Sequence, residues 1–181
     1  MKTKDKYSSF ISGKRIYLRE VRPSDVTESY YCWMNDPQIT KYTESHHYPN
    51  SKESLVKNTE EKQKNKNEIF LAIIVKNNNK HIGNIKLGPI NWIDRIGDIG
   101  ILVGEKDYWG KGYATEAINL IVEYAFNILG LHKLTAGSIS LNEGSVKAFK
   151  NNNFEIEGIR KEHVFINGSY VDAIIFGLIN K

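Results

Sequence analysis

Residues 98–138 read DIGILVGEKDYWGKGYATEAINLIVEYAFNILGLHKLTAGS, and the order of elements in this stretch decides the fold. Asp98 to Val103 is short, apolar and β-branched, as a largely buried strand requires. After a glycine-containing turn, Thr115 to Leu129 is apolar and long enough for a helix, and Gly130 stands where a left-handed residue ends one. Lys133 to Ser138 is strand-like again. Strand, helix and strand in this order form a crossover unit whose two strands lie parallel.

The flanks add antiparallel pieces. Ile16 to Val21 reads as a first strand. Pro23-Ser24-Asp25 opens a helix that runs through Tyr30 to about Met34, where Asn35-Asp36-Pro37 stops it. Asn50 and Glu53 have capping-box spacing and launch a second helix through Leu55 and Val56 to about Lys62. Ile69 to Val75 and His81 to Leu87, separated by Asn77-Asn78-Asn79, read as a hairpin. Beyond the crossover, a short helix from Ser145 to about Lys150 precedes a last hairpin, Ile159 to Ile166 and Tyr170 to Leu178, whose Asn167-Gly168 turn is a strong hairpin signal. The expected class is α+β with a central mixed, mostly antiparallel sheet, and residues 1–181 parse as one domain.

Composition narrows the function classes. The chain has 181 residues, a net charge of +4 and 40% apolar residues, which exclude disorder as a global description. Lysines are scattered and the densest run (Lys62, Lys64, Lys66) is short, so no nucleic-acid-binding face is expected. Cys32 is the sole cysteine. It permits no internal disulfide or cysteine-based zinc site, suits a reducing compartment, and is assigned to core packing. Lys2, Lys4 and Lys6 are not followed by an apolar run of signal-peptide length, and no stretch is long enough to span a membrane, so the expected location is the cytoplasm.

The chemistry-bearing segment is Trp109-Gly110-Lys111-Gly112-Tyr113-Ala114-Thr115, between a strand and the start of the long helix. Glycines let a backbone approach a ligand closely, and the exposed N–H groups and dipole of a helix start suit phosphate oxygens. The spacing fits neither a Walker loop nor a dinucleotide-binding fingerprint. The competing reading is an ordinary glycine turn before a buried helix.

With Trp109, Gly112 and Ala114 standing at the three positions of the pattern Gln/Arg-x-x-Gly-x-Gly/Ala, the chain resembles the GCN5-related N-acetyltransferase (GNAT) superfamily. Trp in the first position, within WGKGYATEA, looks like the branch containing the ribosomal-protein and spermidine acetyltransferases. The resemblance runs from Arg15-Ile16-Tyr17-Leu18-Arg19 through Trp33-Met34-Asn35-Asp36-Pro37 to Phe165-Ile166-Asn167-Gly168-Ser169-Tyr170. It implies a GNAT fold with helices on both faces and the sheet splayed between its fourth and fifth strands (Asp98 to Val103 and Lys133 to Ser138). It also implies acetyl-coenzyme A as acetyl donor, with Gly110 to Thr115 on the pyrophosphate and Ile101 to Val103 pairing with the pantetheine amides. Gly100 and Gly104 are expected to bulge the strand. The resemblance gives Leu102 the N–H that polarises the thioester carbonyl.

An amine must lose its proton before it attacks, since a lysine-like amine has a pKa of about 10.4. Asp98, four residues before Leu102, is the first candidate base, with a plain strand-edge charge as the competing reading. Glu162 and His163 are the second, on a strand expected near the substrate side. Asn142-Glu143-Gly144-Ser145 and Phe149 resemble the family's Asn-x-x-Ser/Ala-x-x-x-Tyr segment, where Asn contacts pantetheine and Tyr protonates the leaving thiolate. Phe149 cannot donate a proton, so that duty passes to Ser145 or water. Asn142 is equally readable as a helix cap.

By position, Trp33, Tyr42, His46, His47 and Tyr48 are candidates to line the amine pocket, or else to pack the core or a loop. His46 and His47 have no carboxylate or cysteine partners that would argue for a metal. The expected activity is acetyl-coenzyme A-dependent acetylation of a primary amine: an amino-sugar nucleotide, a polyamine or a protein N-terminus. The alternative is a non-catalytic acetyl-coenzyme A-binding module. The partner expected is a small-molecule amine, with no nucleic acid, membrane or metal; a homodimer is left open.

Overall fold

A computed structural model describes residues 9–181; Lys2, Lys4 and Lys6 lie outside the described residues. All described strands join one 8-stranded sheet in the order β1-β2-β3-β4-β5-β6-β8-β7. These are β1 (Ile11–Ser12), β2 (Ile16–Glu20), β3 (Ile69–Val75), β4 (His81–Asn91), β5 (Ile96–Val103), β6 (Lys133–Ile139), β7 (Glu155–Ile166) and β8 (Ser169–Ile179). Every neighbouring pair is antiparallel except β5 and β6, which run parallel as the intervening helix dictates. The fold is α+β, and the expected mixed sheet is present.

The helices are α1 (Glu28–Asn35), α2 (Pro37–Thr40), α3 (Lys52–Lys64), α4 (Tyr113–Asn127) and α5 (Glu143–Lys150). α4 buries Ala117, Ile118, Ile121 and Ala125 with Phe149 of α5 against strand residues such as Leu18, Ile73, Ile85 and Leu134, forming the main core on one face. On the opposite face Val21, Ala72 and Ile74 form a smaller core. Gln63 of α3 reaches it, donating from Nε2 to the Val21 carbonyl at 2.8 Å. No helix among the described residues is long and apolar enough to cross a membrane.

Three local expectations are corrected. The first helix is broken: Pro23–Asp25 forms a separate 3-10 turn. Asp25 is held there by a bidentate pair from Arg19 at 2.7 Å and by the Arg22 N–H at 2.8 Å, and Thr27 then caps α1 afresh. The cap of α3 is Ser51, paired reciprocally with Ser54, one residue later than Asn50 and Glu53. Cys32 is exposed. Tyr30 and Trp33, three residues apart on α1, take the buried stripe, and Cys32 faces away from it.

Candidate active site

β5 and β6 stay in register for only three pairs, Ile96 with Lys133, Gly97 with Leu134 and Asp98 with Thr135. β5 then follows β4 to Val103 while β6 follows β8 to Ile139, so the sheet forks in its middle. The Gly104 N–H donates to the Ile82 carbonyl at 2.8 Å, which fixes the alternation of the antiparallel ladder. Leu102 and Gly100 therefore turn their backbone groups toward β4. Past the last parallel pair, the Ile101 and Val103 amides and the Ile99 and Ile101 carbonyls face the opening. The Trp109 indole covers the remaining group, donating from Nε1 to the Val103 carbonyl at 2.7 Å. Two expectations change here. The Leu102 N–H belongs to the β4 ladder, and the register break of β5 lies opposite Leu87 to Ile90 rather than at Gly100 or Gly104.

The loop after β5 leads to α4. Gly110 and Gly112 have φ of 68° and 78°, in the left-handed region that favours glycine. Gly112 is the N-cap of α4 and supplies no side-chain cap. The amides of Tyr113, Ala114 and Thr115 are thus the orphan donors of a 15-residue helix, with its positive dipole end behind them.

Arg15, from the turn before β2, braces this loop. Its Nη1 donates to the Lys111 carbonyl at 2.8 Å, its Nε pairs with Glu116 at 2.8 Å, and its guanidinium lies 4.4 Å from the Tyr113 ring centroid. Burial pushes the Glu116 carboxyl up, but hydrogen bonds from the Arg15 amide and guanidinium and the Ile16 amide outweigh it and hold the group below its ordinary range. Sequence reasoning missed this brace. Arg15 and Glu116 stand 101 positions apart, and the only local signal was an acidic residue in the first turn of a helix.

The other arm is built differently. At the start of α5 the Asn142 side chain accepts from the Ser145 N–H at 3.2 Å, so the cap reading of Asn142 describes its contact. Its Nδ2 donates to no described residue. Ser145 is half-buried in the first turn. Phe149 is 1% exposed and packs on Phe176 and Phe154 at centroid distances of 5.6 and 5.2 Å, which makes it a core side chain rather than a lining of the fork.

Asp98 sits where the two arms part, accepting from the Thr135 hydroxyl at 2.8 Å. Burial pushes its carboxyl above the ordinary range, although the Thr135 hydroxyl and the charge of Lys86 pull the other way. Glu162 and His163 are not brought to it. They occupy an exposed bulge of β7, an edge strand separated from β6 by β8. There the Glu162 N–H donates to Asp172 at 3.0 Å, and His163 Nε2 lies 3.5 Å from Arg160.

A cavity of about 260 Å³ opens between the turn Glu44–His47 and the sheet, lined among others by Tyr42, His46, His47, Gly137, Ile139, Val164, Phe165 and Ala173. Of the pocket candidates, Tyr42, His46 and His47 line it. Tyr48 is 78% exposed and does not. Trp33 is 4% exposed, lies beside a separate cavity, and donates from its indole to Glu105 at 3.1 Å. Among the described residues, no three His, Cys, Asp or Glu side chains gather as a metal site would require.

Comparison with known proteins fits this geometry. Residues 15–155 match the acetyltransferase (GNAT) domain family. A probable N-acetyltransferase of Bacillus subtilis, YjcK, is 26% identical over 176 residues, covering 94% of this chain and 97% of that protein. The crystal structure of Vibrio cholerae spermidine N-acetyltransferase in complex with CoA and spermine superposes with a TM-score of 0.82 at 26% identity, covering 92% and 96% of the two chains. The ribosomal-protein-S5-alanine acetyltransferase of Vibrio fischeri does so with a TM-score of 0.79 at 26% identity, covering 97% and 98%. The chain belongs to the acetyltransferase (GNAT) domain family and is an N-acetyltransferase.

Proposed function

We propose that this enzyme transfers the acetyl group of acetyl-coenzyme A to the primary amine of a small molecule, by direct attack of the amine on the thioester. The observation that carries the reading is the fork, which ends between two helix starts and leaves an unpaired strand edge beside an uncapped helix. That pairing of features fits the coenzyme's own chemistry. Peptide-like amides suit the free groups of Ile99, Ile101 and Val103, and a pyrophosphate suits the orphan amides of Tyr113, Ala114 and Thr115 with Gly110, Lys111 and Gly112 around them. Asn142 Nδ2 is a further free donor along the opposite arm. The coenzyme supplies an activated thioester; the rest falls to the chain.

The acceptor approaches through the cavity against Gly137 and Ile139. On β6, Thr135, Gly137 and Ile139 share one face, and Asp98 lies beside Thr135 on that face. Asp98 takes the ammonium proton so that the neutral amine can form the N–C bond, and its raised pKa brings it nearer to that task than an ordinary carboxylate. The Val103 or Ile101 N–H donates to the carbonyl oxygen as it gains charge. As the C–S bond breaks, the thiolate takes a proton from Ser145 or water. We place the enzyme, as one domain, in the cytoplasm, the compartment that a lone exposed thiol suits.

Isothermal titration with acetyl-coenzyme A followed by thiol-release assays against amino sugars, polyamines and peptides tests this. Saturable binding with turnover of an amine is expected. Absence of binding overturns the coenzyme site, and binding without turnover of any amine restores the binding-module alternative.

A further inference from the structure

We propose that the acceptor is a singly charged amine on an apolar or aromatic body, and not a polyamine; this rests on the reading of the cavity as the acceptor's entrance. The cavity walls are carbon-rich: Ile139, Ala173 and Val164 with the rings of Tyr42 and Phe165. Its two fixed charges, Lys41 and Glu44, cancel. Lys41, an exposed residue, rests its Nζ 4.6 Å from the centroid of the Tyr42 ring. Asp98, the base of the proposed reaction, lies beyond the cavity lining on the sheet face that Thr135, Gly137 and Ile139 share, and it is a single carboxylate for a single amine.

The charge balance separates the acceptor classes. A triamine that gives up one proton to Asp98 still carries two ammonium groups. Glu44 can answer one of them while Lys41 repels both, so the cavity offers a second ammonium no net attraction. An amine on a phenyl or alkyl body brings no second charge, and apolar walls favour it by taking its carbon surface out of water. At about 260 Å³ the cavity is of small-molecule size, so discrimination between these amines falls on charge and wall chemistry. The exposed Phe165 ring, packed 5.2 Å from Tyr170 on the hairpin turn, supplies a ready aromatic wall.

The test is calorimetry on protein saturated with coenzyme A, titrated separately with 2-phenylethylamine and spermidine. Phenylethylamine is expected to bind at least about tenfold more tightly, and Phe165→Ala and Tyr42→Ala are each expected to weaken it by about tenfold. Phe165 is 58% exposed, so its truncation leaves the fold intact. Spermidine binding as tightly or more tightly overturns the inference, as does binding of neither amine, or phenylethylamine binding that ignores both substitutions. Failure of coenzyme A to bind in the saturating step brings down the parent reading as well and is seen before any amine is added.

Discussion

The two arms of the fork solve the same problem in opposite ways. β5 runs into α4 and β6 into α5, so both helices begin at the open end. α5 satisfies one amide of its first turn, that of Ser145, through Asn142, as α1, α2 and α3 each do through Thr27, Asp36 and Ser51. α4, with 15 residues the longest helix described, begins at a glycine with no side-chain cap. A capped start has one donor fewer to offer, whereas an uncapped one leaves the full set to an outside acceptor. The arm proposed above to hold the pyrophosphate is thus the one that lacks a common stabilising device.

Three substitutions probe this contrast. The largest effect is expected where the arms part: Asp98→Asn should lower kcat on the order of 10³-fold. Wild-type activity should show an acid limb displaced above the ordinary aspartate range by burial, and the variant should lose that limb. Stability should move the other way. A carboxyl whose folded pKa is raised contributes stability below its unfolded pKa and loses it as pH rises through the folded value, so Asp98→Asn should be more stable at neutral pH. Equal activity in both proteins across the pH range would refute the base assignment.

Next in size, Gly112→Asp places a negative charge among the orphan amides of α4 and forces a side chain into a left-handed backbone. Acetyl-coenzyme A affinity should fall roughly 100-fold by calorimetry. An unchanged Kd would mean that α4 is no more an anion site than α5. The smallest effect belongs to the self-capped arm, where Asn142→Ala should cost about 1 kcal/mol in denaturant unfolding. No loss there would erase the contrast from the other side.

Much of this was legible in the sequence because its signals are local. β-branched runs gave the strands, Asn167-Gly168 has φ of 49° and 83° as the hairpin turn demands, and Gly130 ends α4's segment with φ of 65°. The loop from Gly110 to Thr115 was found for the same reason. What escaped depends on partners distant in the chain. Whether Leu102 or its neighbours face the fork is a parity set by β4, through Ile82. The brace between Arg15 and Glu116 joins residues 101 positions apart in the sequence. The Pro23 helix was misjudged because Arg19 draws Asp25 into an ion pair that a local reading treats as a helix start, and Glu162 and His163 were placed on a strand without the bulge that carries them away from Asp98.

An unpaired strand edge is ordinarily an invitation to other chains, and long exposed ones promote aggregation. The outer edges here are blunted in familiar ways: β1 has only 2 residues, and β7 is interrupted by two register shifts, one of them carrying Lys161, Glu162 and His163. The third edge, along Ile99 to Val103, is neither short nor charged, and it lies inside the sheet with β6 across the gap. A neighbouring protein's strand cannot lie flat along it, while a narrow single chain can. The fork therefore keeps open ladder groups within the sheet, where a neighbouring sheet cannot reach them.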